Sequence, residues 1–249
     1  MPRTAKIYVS LIISSGAAVL LIAAGAWSSA SLPQFVTLLG FAGVSSTLKI
    51  RIPGLESTVS PNFIFLLLAM LCCSFSEVAA IALVAALVQS LWAAKRPRLI
   101  QVAFSAATLV LSATVSFQSA HLLLGSGSSI SPLVFAMLAG TLYLPLNTAL
   151  ISAVIGLVEG RSSFEAARIC YDCVFPYFMG GLLFAGMVSG AFSRSTVWQG
   201  AAVLFPVAVL GYLYFLSRTP TLTPAQFQSD HLSTEHKELV GVGSRGPSR

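Results

Sequence analysis

Cys170 and Cys173 stand in the run CYDC, a C-x-x-C spacing that suits a redox pair or half of a metal site. No second C-x-x-C accompanies it, and His231 and His236 are far away in the sequence. Buried structural thiols are the simpler expectation. The other two cysteines, Cys72 and Cys73, are adjacent, and neighbouring cysteines rarely bridge. Glu159, Glu165 and Asp172 form the one acidic cluster, but they are interleaved with Arg161 and Arg168. Glu165 and Arg168 have the spacing of a helical salt bridge, so a short amphipathic interfacial helix is expected there. The chain has no phosphate loop, nucleotide fingerprint, H-E-x-x-H or G-x-S-x-G motif. It is expected not to be an enzyme, with no catalytic residue, metal or cofactor assigned.

The remaining chemistry is that of uncharged polar groups. Asn62, Gln89, Gln101, Gln118, His121 and Asn147 lie within or at the ends of apolar segments. In hydrocarbon such side chains bond between helices, or line a polar pocket that suits a neutral solute. Gln89 and Gln101 flank the basic turn KRPR at similar depth and are expected to pair across it. His121 reads as a solvated interfacial histidine, with pH sensing as the alternative.

The densest polar stretch is LKIRIPGLESTVSPNFIF, Leu48 to Phe65. Lys49 and Arg51 suit anionic headgroups. Glu56, the linker's one acid, can pair with Arg51, and Pro53-Gly54 supplies a turn. Ser60 is expected to cap the next helix, with Pro61 at its first position. Lys49, Arg51, Glu56, Asn62, Gln89, Gln101 and Asn147 are the candidate ligand- or partner-binding residues.

The elements that must position these residues are greasy. Of 249 residues 56% are hydrophobic and only 9% charged, against roughly 25% charged in an average soluble domain. The fold class expected is all-α, a polytopic transmembrane bundle of about eight spans, some short or kinked. The segments are 7–27, 32–48, 61–75, 77–92, 99–124, 133–158, 174–192 and 197–216. The first is longer than a signal peptide's apolar core and is expected to be retained. The third and fourth almost touch at CSFSE. They read as a tight hairpin or a re-entrant pair, with Ser76-Glu77 as a helix start. Pro145 falls inside the sixth, where it should kink the helix or be satisfied by neighbours. The run GSGSSISP breaks the chain before that segment. Small residues in SSGAA and MGGLLFAGMVSG allow close helix approach, and Gly186 and Gly190 form a G-x-x-x-G. They suit packing within the bundle, with a homo-oligomer as the alternative. Residues 1–216 are thus expected to form the transmembrane domain, and 217–249 a disordered cytoplasmic tail.

Charge orients the bundle. With an inner N-terminus and eight crossings, 13 of the 14 Lys and Arg fall on the inner side, and Arg194 alone lies outside. That is a strong positive-inside bias. It implies a multi-pass protein of the inner (plasma) membrane with both termini cytoplasmic. The net charge of +6 comes from clusters at span ends, not from a basic stripe, so nucleic acid is not an expected partner.

Three stretches carry a resemblance: Leu48 to Ser112, LNTALISAVIGLVEGRS, and CVFPYFMGGLLFAG. Within them stand Lys49-Ile50-Arg51-Ile52-Pro53-Gly54, Ser60-Pro61-Asn62-Phe63, Lys95-Arg96-Pro97, Asn147-Thr148 and Glu159-Gly160. Together they resemble the N-terminal multi-span, MASE-type sensor region of bacterial HD-GYP phosphodiesterases and diguanylate cyclases. The resemblance covers about Leu39 to Gly190. It implies a helical sensor that binds a small ligand. Neither output domain follows here, so turnover of a cyclic dinucleotide is not expected. The function expected is an integral membrane sensor or regulatory module signalling to a cytoplasmic protein. The alternative is a substrate-binding subunit of a small-solute transporter, similar to the S-components of vitamin uptake systems.

Overall fold

A computed structural model describes residues 2–29, 31–48, 50–51, 58–59, 62–92, 97–125, 132–160, 162–164, 167–168 and 181. All fall within one compact unit, Met1–Ser195. Of the seventh segment only Gly181 is among them. The eighth segment, Cys170 and Cys173, Glu165 and Asp172, and the tail lie outside the described residues.

The described fold is helical. The helices are α1 (Arg3–Gly25), α2 (Leu32–Thr47), α3 (Phe63–Cys72), α4 (Phe75–Leu91), α5 (Leu99–Leu124) and α6 (Pro132–Glu159). Between α2 and α3 lies a two-stranded antiparallel ladder, β1 (Ile50–Arg51) with β2 (Thr58–Val59), in the register Ile50 to Val59 and Arg51 to Thr58. Among the described residues, three helices are long and apolar enough to cross a membrane: α1, α5 and the Val134–Val158 stretch of α6. α3 and α4 are apolar but shorter. At 1.5 Å per residue, α1 rises about 34 Å, α5 about 39 Å and α6 about 42 Å. On the same rule α2 and α4 rise about 24–26 Å, and α3 only about 15 Å.

Packing follows residue size. α5 is central and meets α1, α4 and α6, while α3 lies among α2, α4 and α6. α3 is buried nearly all round, from Phe65 to Met70. α1 buries only one stripe, which includes Val9, Ile12 and Gly16, and exposes Ile7, Leu11, Leu21 and Ile22. The small residues do bring helices together. A Cβ on Gly16 would stand 2.6 Å from the Ala107 Cβ on α5. One on Gly181 would collide with the Phe63 ring and Ile64 at the start of α3.

Helix ends follow local chemistry. Gly125 stops α5 with φ +73°, and Gly160 follows α6 with φ +68°, a left-handed conformation that costs glycine little. Pro33 lies in the first turn of α2, as expected. α6 continues through Pro145. Two helix starts differ from expectation. α3 begins at Phe63, not Pro61, and Ser60 and Pro61 lie outside the described residues. α4 begins at Phe75, and its cap is Ser74, not Ser76. The Ser74 hydroxyl accepts from the Glu77 N–H, and the Glu77 carboxylate accepts from the Ser74 N–H at 2.8 Å. That reciprocal pair satisfies two orphan donors of the helix.

The same corner forms a latch. The Ser29 hydroxyl donates to the other Glu77 carboxylate oxygen at 2.5 Å. Ser74 donates its hydroxyl to the Ser28 carbonyl, and Ser76 donates to the Ala26 carbonyl at 3.0 Å. The α1–α2 connection is thereby held against the α3–α4 turn. Glu77 is 1% exposed there. These bonds put the C-terminal ends of α1 and α3 and the N-terminal ends of α2 and α4 at one end of the bundle.

Gly16→Val should lower stability by about 1–3 kcal/mol, since the branched side chain has no room against Ala107. Gly43→Ala, with no atom within 4 Å of the added Cβ, should change it by about 0.5 kcal/mol or less. Thermal unfolding of both variants in one detergent measures the contrast.

Candidate functional site

Asparagine at a helix start usually turns its side chain back on its own helix as a cap. Asn62 does not. It has helical backbone angles, its carbonyl accepts from the Phe65 and Leu66 N–H groups at 3.1 Å, and its side chain makes no cap bond. Instead its amide nitrogen reaches across to two other helices. It donates to Ser46 Oγ on α2 at 3.2 Å and to Gln89 Oε1 on α4 at 3.2 Å. Asn62 and Ser46 are buried, and Gln89 is half-buried.

The direction of these bonds follows from the hydroxyl. Ser46 donates its proton to the Ala42 carbonyl at 2.6 Å, one turn back on α2. Its oxygen therefore accepts, and the group Asn62 turns toward it is the NH2. That nitrogen also faces Gln89, which must present its carbonyl oxygen. A single polarised chain results: Ala42 carbonyl, Ser46 hydroxyl, Asn62 amide nitrogen, Gln89 carbonyl. A low-dielectric surrounding strengthens such a chain and makes a broken member costly.

The chain sits at the far end of α2 and α4 from the latch, where α2 leads to the β1–β2 ladder. The expected turn at Pro53-Gly54 lies outside the described residues, between the antiparallel strands β1 and β2. Arg51 lies in β1 opposite Thr58. Lys49, Glu56 and the Arg51 side chain lie outside the described residues, and with them the expected Arg51–Glu56 pair.

The other candidates part company. Gln89 and Gln101 do not pair across the basic turn. Gln101 is exposed and accepts from the Arg98 N–H at 2.9 Å, closing the N-terminus of α5. The expectation fails because each glutamine has a nearer partner: an orphan N–H for Gln101, Asn62 for Gln89. Asn147, on α6, is not part of the chain, and its Oδ1 is buried without a hydrogen-bond partner. His121 is exposed but not merely solvated, for its ring packs edge-on to Phe117 at 4.4 Å and against Phe135 at 4.7 Å.

Ser46 was not among the candidates. Its signal was the hydroxyl run Ser45-Ser46-Thr47 just before the polar linker. Among the described residues no group of three or more His, Cys, Asp and Glu side chains is placed to hold a metal, and Cys72 and Cys73 are free thiols. No family model, curated protein or solved structure matches the chain.

Asn62→Ala should cost about 1–3 kcal/mol, because the Gln89 carbonyl loses its donor in a half-buried site. In a double-mutant cycle Asn62→Ala and Gln89→Ala should couple by at least about 0.5 kcal/mol. Asn62→Ala with Gln101→Ala should be additive. Urea or thermal unfolding of the four variants checks both.

Proposed function

We propose that the chain is an integral membrane sensor or regulatory module of the bacterial inner membrane, read out at its cytoplasmic face by the connection between α2 and α3. In this reading it has eight spans and two cytoplasmic termini, and the latch end is the outer end. The charge distribution supports that orientation, because a latch with no Lys or Arg contrasts with basic residues at the other end. The motifs similar to MASE-type sensor regions support the sensing role.

The observation that carries the proposal is the shortness of α3. Pinned at the outer latch, a helix of about 15 Å cannot cross a hydrocarbon core of about 30 Å. Asn62 then lies near mid-depth, and α2 and α4 also end short of the inner boundary. The three short helices end at this level, and the β1–β2 ladder stands between α2 and α3 in the chain. Non-helical backbone is tolerated at such depth where protein buries it or a polar cavity solvates it. A hairpin rooted on hydrogen bonds, not on a continuous helix, can shift while the latch holds still. A cytoplasmic signalling protein would read that shift.

The second reading, a substrate-binding subunit of a small-solute transporter, draws on the uncharged character of the Ser46–Asn62–Gln89 chain, which suits a neutral solute.

Thr58→Cys should react with a membrane-impermeant maleimide in inside-out vesicles and not in right-side-out ones. Its rate should change at least about threefold when the membrane is energised or its anionic lipid content raised. Labelling from the outer side, or a rate constant under every condition, contradicts the reading.

A further inference from the structure

At the latch end α5 outruns its neighbours. The Phe75 ring at the start of α4 lies 6.3 Å from the Phe117 ring on α5, which puts the latch level with Phe117. Beyond that level α5 continues from Gln118 to Leu124, a further rise of about 10 Å. The start of α6 accompanies it, since the Phe135 ring packs against Phe117 and His121. This tip is apolar and open. Leu122 is 83% and Leu123 68% exposed, and Val134 and Met137 on α6 are exposed too.

One molecule thus offers two levels at which a bilayer can end. From Leu99 to Phe117 α5 rises about 27 Å, and from Leu99 to Leu124 about 38 Å. A hydrocarbon core of about 30 Å falls between the two. A boundary at the latch leaves the leucines of the tip in water. A boundary at the tip places the latch under about 10 Å of hydrocarbon. The latch tolerates both, because the Glu77 carboxylate is already buried and takes its hydrogen bonds from the Ser29 hydroxyl and the Ser74 N–H. Burial of the exposed leucines favours the upper level once acyl chains reach it. Trp27 favours the lower one, since tryptophan prefers the headgroup level. It adjoins the latch, half of its surface is exposed, and it packs edge-on to Phe35 at 5.7 Å.

We propose that the latch and the α5–α6 tip form a gauge of bilayer thickness, and that the acyl chains of the outer leaflet are the partner the exposed tip fits. In the orientation given above, basic residues hold the other end at the inner headgroups. A change in thickness is therefore taken up at the latch end. Thin bilayers end at the latch, and thick ones climb to the tip. The inference deepens the regulatory reading, on which its orientation rests, by naming the stimulus.

The test uses the full chain with Trp92→Phe and Trp198→Phe, which leave Trp27 as the one tryptophan. It is placed in nanodiscs of dimyristoleoyl-, dioleoyl- or dierucoyl-phosphatidylcholine. Iodide, which stays in water, quenches the Trp27 fluorescence. The quenching constant should fall at least about threefold from the shortest chains to the longest. Leu122→Glu with Leu123→Glu adds charge where both side chains are exposed. That variant should fold and leave Trp27 open to iodide in the longest chains. Equal quenching of Trp27 in all three lipids, or equal shielding with and without the two substitutions, overturns the inference. The Thr58→Cys labelling rate in the same nanodiscs, with and without anionic lipid, separates the two claims. A rate that follows anionic lipid while Trp27 ignores chain length overturns the gauge alone. Shielding of Trp27 beside a rate that is constant under every condition supports the gauge and overturns the regulatory reading.

Discussion

The carboxylate of Glu77 is bonded to the Ser29 hydroxyl and the Ser74 N–H, and through it one end of the bundle acquires a common level. Removing a carboxylate from water is costly, and only a site with ready donors keeps it. Two serines and a helix N-terminus supply them here. The consequence reaches well beyond the corner. Once the latch end of α3 is fixed, its ten residues set how far Asn62 lies from that level. The meeting of Asn62 with Ser46 and Gln89 depends on this length.

At the other end the fold forgoes a simpler solution. Asn62 could cap its own helix and leave α2 and α4 to pack through apolar contacts. It binds both of them instead. Three short elements are thereby joined by directional bonds, which specify one arrangement more sharply than interchangeable apolar contacts do. The longer helices differ in kind. α1 and α5 meet at Gly16 and Ala107 through close contact of small residues, which is the usual way helices associate where water gives no hydrophobic drive. A frame packed by shape thus surrounds a centre held by hydrogen bonds.

The helices were legible in the sequence because apolar runs and glycine breaks are local. α5 has the bounds expected, Leu99–Leu124, and Gly125 and Gly160 end helices for a reason visible in the chain. The involvement of Asn62 and Gln89 was legible too, since an amide in an apolar segment must find a partner. The identity of the partner was not. Gln89 lies 12 residues from Gln101 and 27 from Asn62, and chain proximity favoured the wrong one. Ser74 and Ser76 were equally good caps on paper. Ser74 took the role because α4 starts at Phe75, which leaves Ser74 extended and Ser76 inside the first turn, and both hydroxyls donate to the α1–α2 connection, 46 and 50 residues away. Such choices depend on which helices are neighbours, and that information is not local.

The depth of Asn62 decides the account most directly. Cryo-electron microscopy of the full chain in a lipid nanodisc, with an antibody fragment for alignment, measures it along the membrane normal relative to Glu77. The account predicts a separation of about 15–18 Å, the rise of α3 and of α4 from Glu77 to Gln89, with Asn62 inside the hydrocarbon layer and bonded to Gln89. A separation near 30 Å, with Asn62 at the inner headgroups and the connection in water, would contradict it.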